Sequence, residues 1–489
     1  MSRTRYRRTK IVATLGPSWA SRDGMIALLD AGVDVVRINA SHGTPEVRIG
    51  WIRQLREVLA ERQARGKSGA ILVDLQGPRI RVGRLDAPVL LERGQQVVFA
   101  PESSAVAGEL PTTYDALARD VRPGSRILLD DGLLAVEVTD IRGDRVSGSV
   151  VFGGELRSNK GINLPGVDVS APAISERDRE EAARLADLGV DYVAMSFVRR
   201  PEDLEDLRTL LPKSVRLIAK IEKDTALENL KGILAVSDAI MVARGDLGVE
   251  LPFEEVPLAQ KRIIREANLA SRPVITATQM LESMIQAPRP TRAEVSDVAN
   301  AILDGTDAVM LSAETAIGEY PLEAVQAMVR IAAELEQHKP PRSAIVELTL
   351  GRGTEADPRL GRRESDHGGT RTETAIAVAT CAAADLMRSP VIVCFTSSGF
   401  TARTVASYRP GVPIFALTTE PQTFRQLALI WGVVPALVDH LPTYEDMLPE
   451  ARKRLLEAGL AETGDRVVVT AGVPWDRPGT TNLLKVETV

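Results

Sequence analysis

Residues 216–246 read RLIAKIEKDTALENLKGILAVSDAIMVARGD. One short apolar run starts at Arg216 and ends in Lys220-Ile-Glu222; a second starts at Ala239 and ends in Arg244-Gly245-Asp246. A helix-like segment lies between them, so the stretch reads as strand, helix, strand. Outward from it the rhythm repeats: apolar runs begin near Ile11, Asp34, Ala70, Asp191, Arg216, Ala239, Pro273 and Ala308, eight in all. The helix after the last run is clear, because Leu322, Val325, Val329, Ala332 and Leu335 recur at helical spacing. Another begins with a capping box, Ser175 with Asp178 three residues on, and stops at Gly189. Strands alternating with helices predict a parallel sheet with crossovers. Eight such units close into an α/β fold of the (β/α)8 TIM-barrel type, whose catalytic groups sit at the carboxyl ends of the strands.

The rhythm breaks twice. Between Gln76 and Gly166 helix signals fade, and β-rich runs take over (Val97–Phe99, Ile127–Leu129, Leu133–Val138, Val146–Phe152) with Gly and Asp-Gly punctuation. This predicts an all-β lid, residues 76–166, inserted after the third strand of a discontinuous barrel of residues 1–75 and 167–338. Residues 339–371, with Pro340-Pro341 and a Gly/Arg/Asp-rich stretch, read as a linker. Beyond it, 372–489 shows a fresh βα pattern with strands near Val391–Phe395, Ile414–Leu417 and Val467–Thr470, a C-terminal α/β domain.

The bulk numbers fit this division. At 489 residues the chain is too long for one compact core. Sixty basic against 66 acidic residues leave a net charge of −6, which offers no global attraction to nucleic acid or anionic lipid. The basic stretch Arg3–Lys10 is followed by no apolar signal-peptide core, and no apolar run approaches the roughly 18–20 residues of a membrane helix. Cys381 and Cys394 read as small buried hydrophobes. A cytoplasmic protein is expected.

Polar residues at the ends of the apolar runs share one chemical theme. They are Thr14; Arg37, Asn39, Ser41 and His42; Asp74; Lys220 and Glu222; Gly245 and Asp246; Thr276 and Thr278; and Ser312, Glu314 and Thr315. Residues two apart on a strand share a face, so Lys220 and Glu222 project together into the barrel mouth. Glu222 and Asp246 supply the one or two carboxylates that Mg²⁺ prefers, the remaining ligands being water and substrate phosphate. Phosphoryl transfer asks for positioning and for cations around the moving charge, which Arg37, Lys220 and the metal provide. Backbone N–H groups around Gly245 suit a substrate carboxylate. Spacing alone leaves a Mg²⁺-dependent lyase or aldolase acting on an enolate open beside a kinase. A catalytically silent nucleotide or sugar-phosphate sensor is the reading from another class.

The wording of these stretches goes further. Lys10-Ile-Val-Ala-Thr-Leu-Gly-Pro17, Arg37-Ile-Asn-Ala-Ser-His-Gly43, Lys160-Gly-Ile-Asn-Leu-Pro-Gly166, Ile218-Ala-Lys-Ile-Glu222, Met241–Glu250, Ala277–Met284, Arg292–Asn300 and Leu311-Ser-Ala-Glu-Thr315 occur in order along almost the whole chain. Together they resemble the pyruvate kinase family, in which a barrel carries a β lid and a C-terminal α/β domain. The resemblance implies the final step of glycolysis, transfer of phosphate from phosphoenolpyruvate to ADP, giving pyruvate and ATP. It implies that Arg37 and Lys220 hold the transferring phosphate and that Glu222 and Asp246 carry Mg²⁺ or Mn²⁺. Gly245 and Asp246 would bind the substrate carboxylate, and Thr278 would stand in the proton path to the enolate carbon. Thr14, Asn39, His42, Arg81 and Lys160 match nucleotide-contacting positions, and a homotetramer is implied.

Two departures matter. Many members bind K⁺ through positions matching Asn39, Ser41, Asp74 and the main-chain carbonyl of Leu75. Here, Asp74-Leu-Gln-Gly-Pro-Arg79 replaces the common Asp-Thr-Lys-Gly-Pro-Glu. Arg79 brings a fixed positive charge where a carboxylate would favour the ion, so K⁺ is expected to be dispensable. In the C-terminal domain Thr396, Ser397, Ser398, Gly399 and Thr401 resemble the family's effector-phosphate loop, before a helix where a phosphate fits. Ser397 and Phe400 stand where fructose-bisphosphate-responsive members carry basic residues. The tail Gly472–Asn482 resembles members activated by AMP or sugar monophosphates, so a monophosphate effector is expected.

Overall fold

The computed structural model describes residues 6–338, 372–439, 444–473 and 481–489. The expected linker at 339–371, the first residues of the basic N-terminal stretch, and most of the Gly472–Asn482 tail lie outside the described residues.

All eight apolar runs are strands: β1 (Lys10–Thr14), β2 (Val35–Asn39), β3 (Ala70–Asp74), β4 (Tyr192–Met195), β5 (Arg216–Ile221), β6 (Ala239–Ala243), β7 (Val274–Ala277) and β8 (Ala308–Leu311). They pair in parallel in chain order and close on themselves, with Lys10 opposite Ala308 where β1 meets β8. Both faces of each strand are buried, as a parallel sheet under helices requires. Val12, Val35, Leu72, Ile218, Met241, Ile275 and Met310 fill the barrel. Their neighbours Ile11, Val36, Ile71, Val193, Ile240 and Val309 face the helices.

A regular device closes the lower end. The residue just before each even-numbered strand is an aspartate: Asp34, Asp191, Asp238 and Asp307. Each carboxylate accepts an N–H from the preceding odd-numbered strand: Ile11 at 2.8 Å, Ile71 at 2.9 Å, Leu217 at 2.9 Å and Val274 at 3.0 Å. Each also pairs with arginine: Asp34 with Arg7, Asp191 with Arg56 and Arg425, Asp238 with Arg208 and Arg216, and Asp307 with Arg409. Burial would raise the Asp238 carboxyl, but Arg216, the Leu217 N–H and Arg208 outweigh it and hold its pKa low.

The lid has a six-stranded sheet and a two-stranded one, Val89–Leu91 against Gly154–Leu156, with its own core around Phe99, Ile127, Val136 and Val146. It also holds a single helical turn, Leu117–Asp120, where the sequence signals only strands. The helix expected after Ser175 runs over Glu176–Leu185, and its reciprocal capping bonds are present. The C-terminal domain has five strands in the order Val433–Leu437, Ile414–Thr418, Ile392–Phe395, Arg466–Ala471 and Leu483–Thr488, the last antiparallel. Sequence pattern finds only the middle three. Val433–Leu437 is an edge strand interrupted by Pro435, and Leu483–Thr488 is an edge strand with little buried side chain, so neither shows the expected alternation. Arg409, stacked 5.0 Å from the Trp431 ring centroid, joins this domain to Asp307 at the foot of β8.

Asp307→Ala leaves the buried Arg409 guanidinium without its carboxylate and should cost ~3–5 kcal/mol in denaturant unfolding followed by tryptophan fluorescence. Asp140→Ala, which breaks an exposed lid pair with Arg142, should cost less than ~1 kcal/mol.

Candidate active site

The carboxyl ends of the strands converge on one cavity of about 110 Å³. Arg37, Asn39, Ser41, Asp74, Leu75, Arg79, Lys220, Glu222, Asp246 and Thr278 line it, so residues from the ends of five strands meet at the mouth. Sequence reasoning had singled out every one of these ten.

Lys220 is the electrostatic centre. Its ammonium lies 2.8 Å from Glu222 Oε1, 2.8 Å from Ser196 Oγ and 3.4 Å from Asp74 Oδ1. Burial alone would strip its proton, but Asp74, Glu222 and Asp246 reverse that and push its pKa above the usual lysine value. Asp74 also takes two bonds from Arg37, Nε at 2.9 Å and Nη2 at 2.7 Å. Burial opposes the Asp74 charge, yet Lys220 and Arg37 hold its carboxyl below the ordinary range. One carboxylate thus aims both cations into the same space.

Glu222 behaves in the opposite way. Burial and the nearby Asp246 charge raise its pKa, against Lys220 and the Phe197 N–H, which donates to Oε2 at 2.5 Å. Two anions forced together in a buried cleft favour a cation, and this is the test that a divalent metal passes here. Among the described residues no cluster of three or more His, Cys, Asp or Glu side chains suited to a metal forms.

Thr278 and Gln279 have left-handed backbones, φ +67° and +54°. Such a backbone is costly for a β-branched residue, and strain of this kind collects at functional sites. The turn brings Thr278 Oγ1 to accept the Gly245 N–H at 2.7 Å while donating to Ala277 O at 2.6 Å. Arg244 braces the turn, reaching Thr278 O at 2.7 Å and Asp297 at 2.7 Å. A Cβ on Gly245 would meet Thr278 only at 3.5 Å, so the chain's own packing does not demand the glycine.

The residues expected on the nucleotide side are placed unevenly. Thr14 is buried, its hydroxyl accepting from Arg37 Nη1 at 2.9 Å and donating to Leu311 O at 2.9 Å, so it supports Arg37 from behind. Asn39 Oδ1 accepts the Ser41 N–H at 3.0 Å. His42 lies among Arg79, Arg37 and Arg81; burial first and then these charges lower its pKa. Lys160 is half-exposed on the lid and paired with Asp130 at 2.8 Å. Arg177, whose charge reaches Arg81 and whose guanidinium donates to Ala40 O at 3.3 Å, was missed. Its signal was hidden inside the first turn of a capped helix. Ser196 and Phe197 were also missed, since the end of the β4 run carries no charge.

A barrel mouth with two phosphate-facing cations and a carboxylate pair for a divalent ion defines a metal-assisted phosphotransferase. Residues 6–325 match the family model described as pyruvate kinase, barrel domain, and 374–487 match pyruvate kinase, alpha/beta domain. Similar curated proteins include the pyruvate kinases of Geobacillus stearothermophilus (43% identity, 99% of this chain, 80% of that protein) and Agrobacterium vitis (43%, 98% and 96%). A solved pyruvate kinase from Cryptosporidium parvum superposes with a TM-score of 0.90 at 34% identity, covering 99% of this chain and 96% of that one. The chain belongs to the pyruvate kinase family.

Proposed function

We propose that this enzyme transfers the phosphoryl group of phosphoenolpyruvate to ADP, giving pyruvate and ATP, with the residues of the one cavity in the following roles. Arg37 and Lys220, both aimed by Asp74, hold the phosphoryl group and offset the charge spread over its oxygens during transfer. Glu222 and Asp246 hold Mg²⁺ or Mn²⁺, which when bound neutralises phosphate charge and polarises the enolate oxygen. Main-chain N–H groups at Gly245 and Asp246 bind the substrate carboxylate, the Gly245 N–H exchanging its bond to Thr278 Oγ1 for the ligand. Thr278 gives its own proton to Ala277 O. It therefore serves the enolate carbon by orienting a water rather than as a free acid, in keeping with the high pKa of a lone hydroxyl. Asn39, His42, Arg81 and Lys160 serve the nucleotide side, joined by Arg177. The observation that carries this reading is Lys220, a buried cation held charged between the metal carboxylate and the carboxylate that also aims Arg37.

The monovalent cation is dispensable in this reading. Most oxygens expected to bind K⁺ already serve an internal donor: Asn39 takes the Ser41 N–H, Ser41 Oγ takes Arg79 at 3.1 Å, Asp74 Oδ2 takes Arg37, and Leu75 O takes Ser196 Oγ at 2.8 Å, while Asp74 Oδ1 faces the Lys220 ammonium at 3.4 Å. Arg79 adds a permanent charge beside them. Regulation is assigned to the loop of Thr396, Ser397, Ser398, Gly399 and Thr401. Gly399, at φ +76°, turns the chain into the helix Phe400–Ala406. The Ser398 carbonyl accepts from Arg403 at 3.0 Å and Arg216 at 3.3 Å, which brings two guanidinium groups to the loop assigned to a monophosphate such as AMP or a sugar phosphate. Exposed apolar Phe253 and Leu258 on the barrel suit burial in a homotetramer. Among the described residues no helix is long and apolar enough to cross a membrane.

A coupled assay of pyruvate formation from phosphoenolpyruvate, ADP and Mg²⁺ tests the core of this. Lys220→Met should lower kcat by at least about 10³-fold; retention of turnover would remove Lys220 from its role. Rates in K⁺, Na⁺ and tetramethylammonium should agree within about twofold, since a guanidinium is charged at any working pH; a strict K⁺ requirement would overturn the cation argument. AMP or a sugar monophosphate should sharpen phosphoenolpyruvate saturation, and unchanged curves with all of them would exclude the effector assignment.

A further inference from the structure

Ser196 has no part in the roles above, yet it touches the atom on which they turn. It is 3% exposed and stands at the end of β4. Its hydroxyl donates its single proton to Leu75 O at 2.8 Å, so the oxygen faces Lys220 only as an acceptor, and it takes the ammonium at 2.8 Å. The other two directions of the ammonium are occupied by Glu222 and Asp74. These two partners are not equivalent to Ser196. Glu222 is the carboxylate that serves the metal, and Asp74 is already shared with Arg37. Ser196 is the neutral partner: it fixes direction without cancelling charge.

The corner that carries Ser196 is built with care. Phe197 follows at φ +57° and gives its N–H to Glu222, so two consecutive residues grip the lysine and the metal carboxylate together. Gly77, at φ +72°, packs on this corner from the end of β3. A Cβ there would stand 2.8 Å from the Phe197 ring and 3.0 Å from Ser196 Cβ, too close for any side chain.

We infer that Ser196 is a positioning residue for phosphoryl transfer: it holds the Lys220 ammonium in line when Glu222 turns to the metal, leaving a proton of that ammonium for the transferring phosphate. This deepens the proposed function and rests on the role given there to Lys220.

Ser196→Thr and Ser196→Val are nearly isosteric and differ by the hydroxyl, so steric effects cancel between them. The threonine variant should keep kcat within about threefold of wild type, while the valine variant should lose roughly 10–10²-fold, the range for a misplaced catalytic group. KM for phosphoenolpyruvate, the thermal midpoint, and Mn²⁺ affinity measured by electron paramagnetic resonance should agree between the two. Equal kcat values overturn the inference, and so does a valine variant whose lower kcat is matched by lost Mn²⁺ affinity or a lower midpoint. Lys220→Met in the same assay separates the two levels. An inactive Lys220→Met with an unimpaired Ser196→Val defeats only the Ser196 inference, whereas an active Lys220→Met defeats the reading beneath it.

Discussion

A carboxylate at the foot of every second strand is the constraint on which the rest of the molecule depends. Asp34, Asp191, Asp238 and Asp307 each tie an odd strand to the even strand that follows, through a side chain rather than the sheet ladder. Parallel strands offer unpaired N–H groups at their starting ends, and a buried N–H left alone is costly. The repeated aspartate satisfies them and divides the barrel into four two-strand units. Such buried carboxylates need compensation, and the arginines that supply it come partly from elsewhere: Arg409 and Arg425 belong to the C-terminal domain. The interaction that closes the barrel therefore also seats the second domain beneath it.

The same economy appears at the opposite end, with the sign of its consequence reversed. At the foot, six arginines hold the four aspartates and the pairs build structure, as expected for that face of a barrel. At the mouth, one carboxylate, Asp74, faces two cations, Arg37 and Lys220, and positive charge is left over for a phosphate. Glu222 and Asp246 are left with an excess of the other sign, which suits a metal. Preorganised charges held in a buried cavity need no rearrangement at the moment of reaction, which is where most of the rate gain of such a site arises. Strand β5 joins the two ends. Arg216 at its start reaches Asp238 and the Ser398 carbonyl of the C-terminal domain, while Lys220 and Glu222 lie at its finish.

Much of this was legible in the sequence, and the exceptions have physical reasons. All eight barrel strands announce themselves because strands buried on both faces are continuous apolar runs. The charged site residues are equally visible, since Lys220, Glu222 and Asp246 stand directly at the ends of those runs. The two C-terminal strands that escaped notice are edges, where one side of the strand is free of the burial that writes a pattern. Arg177 was hidden by its setting in a helix start crowded with other charges, and Ser196 by being a neutral residue of an ordinary type.

The sequence by itself determined the architecture, the family and the chemical inventory of the site, because hydrophobic period, turn residues and strand-end charges are local properties of the chain. Only the tertiary structure decided how the inventory is shared out. It turned Thr14 into a support for Arg37, gave Asp74 to two cations at once, and put a serine hydroxyl against Lys220. These are pairings between residues 23, 37, 146 and 24 positions apart in the chain. Whether a charge is neutralised or left free depends on which partner lies within about 3 Å, and that distance is set by the closure of the barrel rather than by any neighbour in sequence.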